Sequence, residues 1–230
     1  MKESPIIIAL DVPCAAEARK LVFALGDSVS FYKVGLELYA AAGMDFVHEL
    51  RQQGHRVFLD LKLYDIGETV RRAVAQIAKS GVDFVTIHGM RQVMRAAVEG
   101  RGGSQVKLLA VSVLTSVDEN DLREDGYSAT LPELIARRVR NAVEDQVDGI
   151  VCSPRDVAVI RLLAGGRAIL VTPGVRSAGA SAGDQKRVAT PAEAIAGGAD
   201  YVVVGRQVTR APDPRAEIRR IRQEIGLESS

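Results

Sequence analysis

Short apolar runs recur along this chain, and amphipathic helical stretches separate most of them. The first run, over residues 5–11, carries Ile6, Ile7 and Ile8 in succession. A strand apolar on both faces fits a parallel sheet covered by helices, not a half-solvated antiparallel one. Ala18, Leu21, Val22 and Leu25 then follow at helical spacing, with Gly26 suited to the helix end. The alternation continues with a strand over 31–35, a helix over 44–50, a strand from Arg56, and a helix over 69–80. A strand over 83–88 and a helix over 93–98 come next, then a strand over 106–114. A helix over 131–147 has Leu134, Ile135, Val139 and Val143 as its inward face. Strands over 149–152, 168–172 and 200–205 complete the set, with a short helix over 191–196 and a last one marked by Ile218, Ile221 and Ile225. Eight strands alternating with helices imply a closed (β/α)8 TIM barrel, with an open doubly wound sheet as runner-up. No linker or change of composition divides the 230 residues, so the expectation is a single domain over 1–230. Gly100, Gly102 and Gly103 read as a loop without the spacing of a phosphate-binding motif.

Thirty Lys and Arg against 29 Asp and Glu leave a net charge of +1. With no basic run interleaved with aromatics, this argues against nucleic acid as a partner and leaves room for a local site for a small phosphate. Cys14 and Cys152 are far apart, form no CxxC and read as reduced, partly buried thiols of a cytosolic protein. His48, His55 and His88 lack the spacing of a metal site; His88 ends a strand and is a peripheral candidate at most. The first apolar run is too short for a signal peptide, and no stretch could span a bilayer. The expectations are a cytoplasmic chain with no membrane association and no histidine metal site.

Polar residues gather at the C-terminal ends of the expected strands, where barrels of this kind carry their active sites. Asp11 ends the first strand, Lys33 lies late in the second, and Asp60 and Lys62 end the third. Thr115, Arg176 and Gly205-Arg206 follow the fifth, seventh and eighth. Residues two apart on a strand share a face, so Asp60 and Lys62 point the same way on an otherwise apolar segment. One reading is a structural ion pair. The other adds Asp65 and holds a protonated lysine between carboxylates, which suits a proton donor. Gly205 and Arg206 lie in a loop after the last strand that leads into a helix, where backbone N–H groups and a guanidinium can meet a phosphate; a surface ion pair is the plainer alternative for Arg206. Residues 176–185, rich in small side chains and ending in Gln185, read as a surface loop or as a lid that closes on that phosphate. Thr115 and Ser116 could equally cap a turn or helix.

The spacing D-x-K-x-x-D-I-x-x-T, here Asp60, Lys62, Asp65, Ile66 and Thr69, resembles the active-site motif of the orotidine 5′-phosphate decarboxylase family. Ala9-Leu10-Asp11, Tyr32-Lys33-Val34-Gly35, Leu114-Thr115-Ser116, Thr172-Pro173-Gly174-Val175-Arg176, Gly183-Asp184-Gln185 and Gly205-Arg206 fall in the family's order and span nearly the whole chain. The resemblance implies a cofactor-independent barrel enzyme that converts orotidine 5′-phosphate to UMP in pyrimidine synthesis. It implies that Lys62 protonates C6 while Asp60 faces the departing carboxylate. Ground-state repulsion and stabilisation of the carbanion are both open as the main effect. Asp11, Lys33, Asp65 and Thr69 would bind ribose hydroxyls, Ile66 would complete the motif's substrate-binding segment, and Thr115 would meet the pyrimidine edge. Arg176, Gln185, Gly205 and Arg206 would serve the lid and phosphate. Asp65 and Thr69 would reach into the site of a second subunit, which makes the working unit a homodimer.

The family often has proline and asparagine where Gly67 and Glu68 stand, and proline where Ser177 and Gln207 stand. These departures bear on loop rigidity and binding strength; none removes a charged catalytic group. A related barrel decarboxylase acting on a keto-sugar phosphate would need magnesium and a carboxylate near the end of the second strand, where this chain has Lys33. A non-catalytic phosphate-binding barrel would have no reason to keep two lysines among carboxylates.

Overall fold

The computed structural model describes residues 4–178 and 189–227. Its strands are β1 (Ile6–Ala9), β2 (Phe31–Gly35), β3 (Arg56–Leu63), β4 (Phe84–His88), β5 (Lys107–Val111), β6 (Gly149–Val151), β7 (Ile169–Pro173) and β8 (Tyr201–Val204). All pair in parallel in sequence order, and β8 closes on β1. The helices are α1 (Ala15–Leu25), α2 (Leu36–Gln52), α3 (Gly67–Ile77), α4 (Arg91–Arg101), α5 (Glu119–Glu124), α6 (Leu131–Glu144), α7 (Val157–Ala164), α8 (Pro191–Ala196), α9 (Arg206–Thr209) and α10 (Pro214–Glu224). This is the (β/α)8 TIM barrel that the alternation implies.

Strand alternation divides the apolar residues between two layers. Ile7, Phe31, Phe58, Phe84, Leu109 and Val171 belong to the barrel interior, whereas Ile6, Ile8, Val57 and Leu59 pack in the outer layer between sheet and helices. At the N-terminal mouth Phe31, Phe84 and Tyr201 meet edge to face, with ring centroids 5.1–5.8 Å apart. The Arg56 guanidinium lies 4.0 Å from the Phe31 centroid. Three aspartates, Asp83, Asp148 and Asp200, precede β4, β6 and β8 and each accepts a backbone N–H of the preceding strand, from Val57, Leu108 and Leu170. Each is also paired with arginine: Arg51 and Arg56, Arg101, and Arg161. Charge at this end therefore closes on itself and on the backbone, which suits a stabilising rather than a reactive role.

Several local expectations change. The second helix begins at Leu36, and Gly43 (φ 60°) kinks it, which is why its helical pattern is clear only beyond that point. Gly100 lies inside α4 and not in a loop; a Cβ there would collide with the carbonyl oxygen of Arg71, so α3 and α4 approach through it. Val143 is on the exposed side of α6, and Ala142 takes the buried position. Helices α5, α7 and α9 add to the expected set.

The largest local departure is in β3. Leu59 pairs with Val85 and Leu63 with Ile87, so residues 60–62 stand opposite the single residue Thr86. Lys62 takes φ 49° within this bulge, a left-handed conformation uncommon outside glycine.

Candidate active site

A cavity of about 500 Å³ opens at the C-terminal ends of the strands. Apolar inward residues, among them Ala9, Val111, Val151 and Val203, form its lower wall. Asp11, Lys33, Asp60, Lys62, Thr115 and Ser116 line it, as do Arg176, Gly205 and Arg206 on the side of β7 and β8. The fold thus collects nine residues singled out from sequence into one concave site.

The polar array is continuous. Lys33 Nζ donates to Asp11 Oδ1 at 2.8 Å and lies 3.4 Å from Asp60 Oδ2. Lys62 Nζ donates to Asp60 Oδ1 at 2.9 Å. The side chains of Lys33 and Asp60 are only 10% and 13% exposed, whereas Asp11 is 54% exposed, so the array runs from barrel interior to solvent. Burial works against the Lys33 ammonium, but Asp60 and Asp11 outweigh it and raise its pKa. Burial likewise works against the Asp60 carboxylate, but the charges of Lys33 and Lys62, with hydrogen bonds from Lys62 and Thr86, hold its pKa below the usual range. Gly35 makes the Lys33–Asp11 pair possible: a Cβ there would stand 2.9 Å from both Asp11 Oδ1 and Lys33 Nζ.

Asp60 and Lys62 do meet, although not through the regular pleat expected of them. The β3 bulge and the positive φ of Lys62 intervene between their side chains. Asp65, Ile66 and Thr69 are exposed and absent from the lining of their own barrel's cavity. Among the described residues the Asp65 carboxylate accepts the Ile66 backbone N–H at 2.7 Å and makes no ion pair with Lys62. The expected Asp-Lys-Asp array is therefore an Asp60–Lys62 pair within this chain. His88 stacks on Tyr64, with centroids 4.4 Å apart, and does not line the cavity. Gln185, with Gly183 and Asp184, lies outside the described residues.

Arg176 and Arg206 face the same part of the cavity. Burial, and then the charge of Arg206, lower the pKa of Arg176. Two neighbouring cations on one wall of the cavity suit a doubly charged anion. The positions that depart from the family's prolines are joined to each other. Ser177 N–H donates to Gln207 Oε1 at 3.0 Å, a bond proline could not make. Gln207 Nε2 donates to Ser177 Oγ at 2.8 Å and to Glu217 Oε1 at 2.7 Å. This clasp ties the residue after Arg176 to the residue after Arg206. Glu68 forms an exposed fork with Arg71 and Arg72, which pulls its carboxyl down to about 2.

Sequence reasoning missed Thr86, Glu37, Arg210 and Cys152. Glu37, Arg210 and Cys152 line the cavity. Thr86 is fully buried beside it, donating to Asp60 Oδ1 at 2.8 Å and accepting the Lys62 backbone N–H at 2.9 Å. Its signal was present as a lone hydroxyl in the apolar strand Phe84–His88.

Comparison with known proteins agrees with this geometry. The chain is 51% identical over 220 residues to the orotidine 5′-phosphate decarboxylase of Rhodopseudomonas palustris (strain BisA53), covering 96% of this chain and 94% of that one. It is 48% identical over 221 residues to the protein of the same name from Bradyrhizobium diazoefficiens, covering 96% and 93%. The crystal structure of orotidine 5′-phosphate decarboxylase from Lactobacillus acidophilus superposes with a TM-score of 0.86 at 35% identity, covering 97% of this chain and 100% of that one. The profile of the orotidine 5′-phosphate decarboxylase / HUMPS family matches residues 4–221, and with these relatives it shows that the chain belongs to that family.

Proposed function

We propose that this chain decarboxylates orotidine 5′-phosphate to UMP in pyrimidine synthesis, with Lys62 as the proton donor to C6. The observation that carries the reading is the Lys62 ammonium held 2.9 Å from the largely buried side chain of Asp60, in the same cavity as Arg176 and Arg206. On this reading the two arginines and Gly205 take the phosphate, joined by Gln185 on resemblance alone, and the base lies toward Lys62. The bond from C6 to the carboxylate breaks, its electron pair stays on C6, and carbon dioxide leaves. The C6 carbanion then takes a proton from the Lys62 ammonium, leaving a neutral amine that solvent reprotonates. Asp60 cannot withdraw from the substrate carboxylate, because Lys33, Lys62 and Thr86 all hold it. Thr115 meets the pyrimidine edge, and Asp11 and Lys33 meet ribose hydroxyls.

The same proposal makes the working unit a homodimer, with Asp65 and Thr69 serving the site of the second subunit and Ile66 between them in the substrate-binding segment. Its support is the exposure of these residues, away from their own cavity, and a run of large apolar side chains beside them. The loops after β3 and β4 present Tyr64 and Ile66, and Met90, to solvent, and Tyr64 Oη meets Met90 Sδ at 3.8 Å. Such a patch suits a two-fold contact. The reaction is assigned to one barrel domain in the cytoplasm, without metal or organic cofactor; the engagement of Asp11 and Asp60 by lysines argues against a metal on those carboxylates. Among the described residues, no helix is long and apolar enough to cross a membrane.

The deciding experiment incubates the protein with orotidine 5′-phosphate in EDTA and follows loss of its ultraviolet absorbance. Turnover is expected. No turnover there, with activity appearing on addition of magnesium and a keto-sugar phosphate, would overturn the assignment. Lys62→Ala should abolish turnover, since the other ammonium on Asp60, that of Lys33, is shared with Asp11; retention of more than a small fraction of the rate would move the donor elsewhere.

A further inference from the structure

The bulge in β3 leaves the sheet with a gap. Between the Leu59–Val85 and Leu63–Ile87 pairs, β3 has three residues where β4 has only Thr86. A regular ladder cannot satisfy both strands across such a mismatch. Here the Lys62 backbone N–H donates to the Thr86 side chain at 2.9 Å, so a hydroxyl stands in for a rung of the ladder. The same hydroxyl donates to Asp60 Oδ1 at 2.8 Å. That oxygen also receives Lys62 Nζ at 2.9 Å. Both ends of Lys62, its backbone and its ammonium, are thereby fastened to one carboxylate oxygen, one directly and one through Thr86.

We infer that the Thr86 hydroxyl is a positioning group for the proton donor, holding the Lys62 backbone in its left-handed conformation and Asp60 in line with the Lys62 ammonium. Thr86 is completely buried and does not line the cavity, so it acts through Lys62 and Asp60 rather than on substrate. A hydroxyl is suited to this place because it donates and accepts at once. Without it, the part-buried Lys62 N–H and one position on Asp60 lose their partner, and Lys62 loses the bond that opposes relaxation of its backbone.

The inference rests on Lys62 being the donor in orotidine 5′-phosphate decarboxylation, and the test separates the two. Wild type, Thr86→Val, Thr86→Ser and Thr86→Ala are compared for kcat and KM with orotidine 5′-phosphate, for UMP binding by calorimetry, and for thermal unfolding. Valine keeps the shape and removes the hydroxyl. Serine and alanine both lack the methyl and differ only in the hydroxyl. Thr86→Val and Thr86→Ala should lose about tenfold to a hundredfold in kcat, the scale of a misplaced reacting group. UMP affinity should stay close to wild type, and Thr86→Ser should keep most of the rate. Three outcomes overturn the inference: kcat of Thr86→Val near wild type, Thr86→Ser as impaired as Thr86→Ala, or UMP affinity falling in step with kcat. Failure of both hydroxyl-free variants to fold would assign the hydroxyl to stability and would also overturn it. A wild-type protein that does not turn over orotidine 5′-phosphate would instead remove the underlying reading.

Discussion

Asp60 makes the rest of the site compatible with burial. It stands between Lys33 and Lys62, and removing its charge would leave Lys33 in the barrel interior with Asp11 as its remaining carboxylate. Breaking a buried pair from one side costs roughly 3 kcal/mol or more. The pH dependence follows from the sign of the shift. The folded pKa of Asp60 is depressed, so its contribution is complete above the unfolded value, about 4, and is lost as pH falls through the lower folded value. Lys33 is shifted upward, so its contribution is complete below about 10 and is lost only as pH rises through its raised folded value. Neutral pH lies inside both windows. Asp60→Asn should therefore be less stable than wild type by roughly 3 kcal/mol at pH 7, and the difference should narrow below about pH 4. Unfolding in denaturant at both pH values measures it; a gap unchanged by acid would mean that Asp60 ionisation is not linked to folding.

At the scale of elements, the exits of β7 and β8 are fastened together rather than stiffened one at a time. Ser177 is buried, and its N–H and hydroxyl both meet the Gln207 amide. Gln207→Ala would strand these groups at a cost of about 1–3 kcal/mol. It should also raise KM for a phosphate-bearing substrate, because Arg176 and Arg206 flank the clasp. Denaturant unfolding and steady-state kinetics check both effects; a variant as stable as wild type with unchanged KM would make the clasp incidental. These two positions were legible in the sequence only as departures from the family's pattern. Their pairing was not, because residues 30 apart meet only when β7 and β8 pair in register. The short helices α5 and α7 were likewise missed. Tertiary packing stabilises helices too short to form alone, so their own periodicity is a weak signal.

For the molecule as a whole, charge collects at both ends of the barrel, so position at a rim does not by itself mark a site. At the N-terminal end Asp83, Asp148 and Asp200 are closed off by arginines and strand N–H groups. At the C-terminal end lysines and aspartates line an open cavity. The proposed dimer would complete that cavity from outside. Lys62→Ala and Asp65→Ala proteins, each nearly inactive, can be unfolded and refolded together. If Asp65 serves the partner, each mixed dimer has one site with both lesions and one with none. Random pairing makes about half the dimers mixed, so roughly a quarter of wild-type activity should return. If Asp65 serves its own barrel, mixing restores nothing and the shared site is lost while the reaction assignment stands.

The sequence alone determined the barrel and most of the polar residues that line its cavity. Strands buried on both faces must be apolar throughout, so Ile6 to Ile8 and Tyr201 to Val204 stand out locally, and a polar residue at such a strand's end is conspicuous. Asp11, Lys33, Asp60 and Lys62 were found in that way. Only the tertiary structure decided how Asp60 and Lys62 meet, since two-residue alternation says nothing of a bulge that depends on the neighbouring strand. It alone brought Thr86 to Asp60, 26 residues away, and joined Ser177 to Gln207. Periodicity reports the face a residue shares with its neighbours in sequence; the partner across that face is set by strand register and closure, which no local pattern contains.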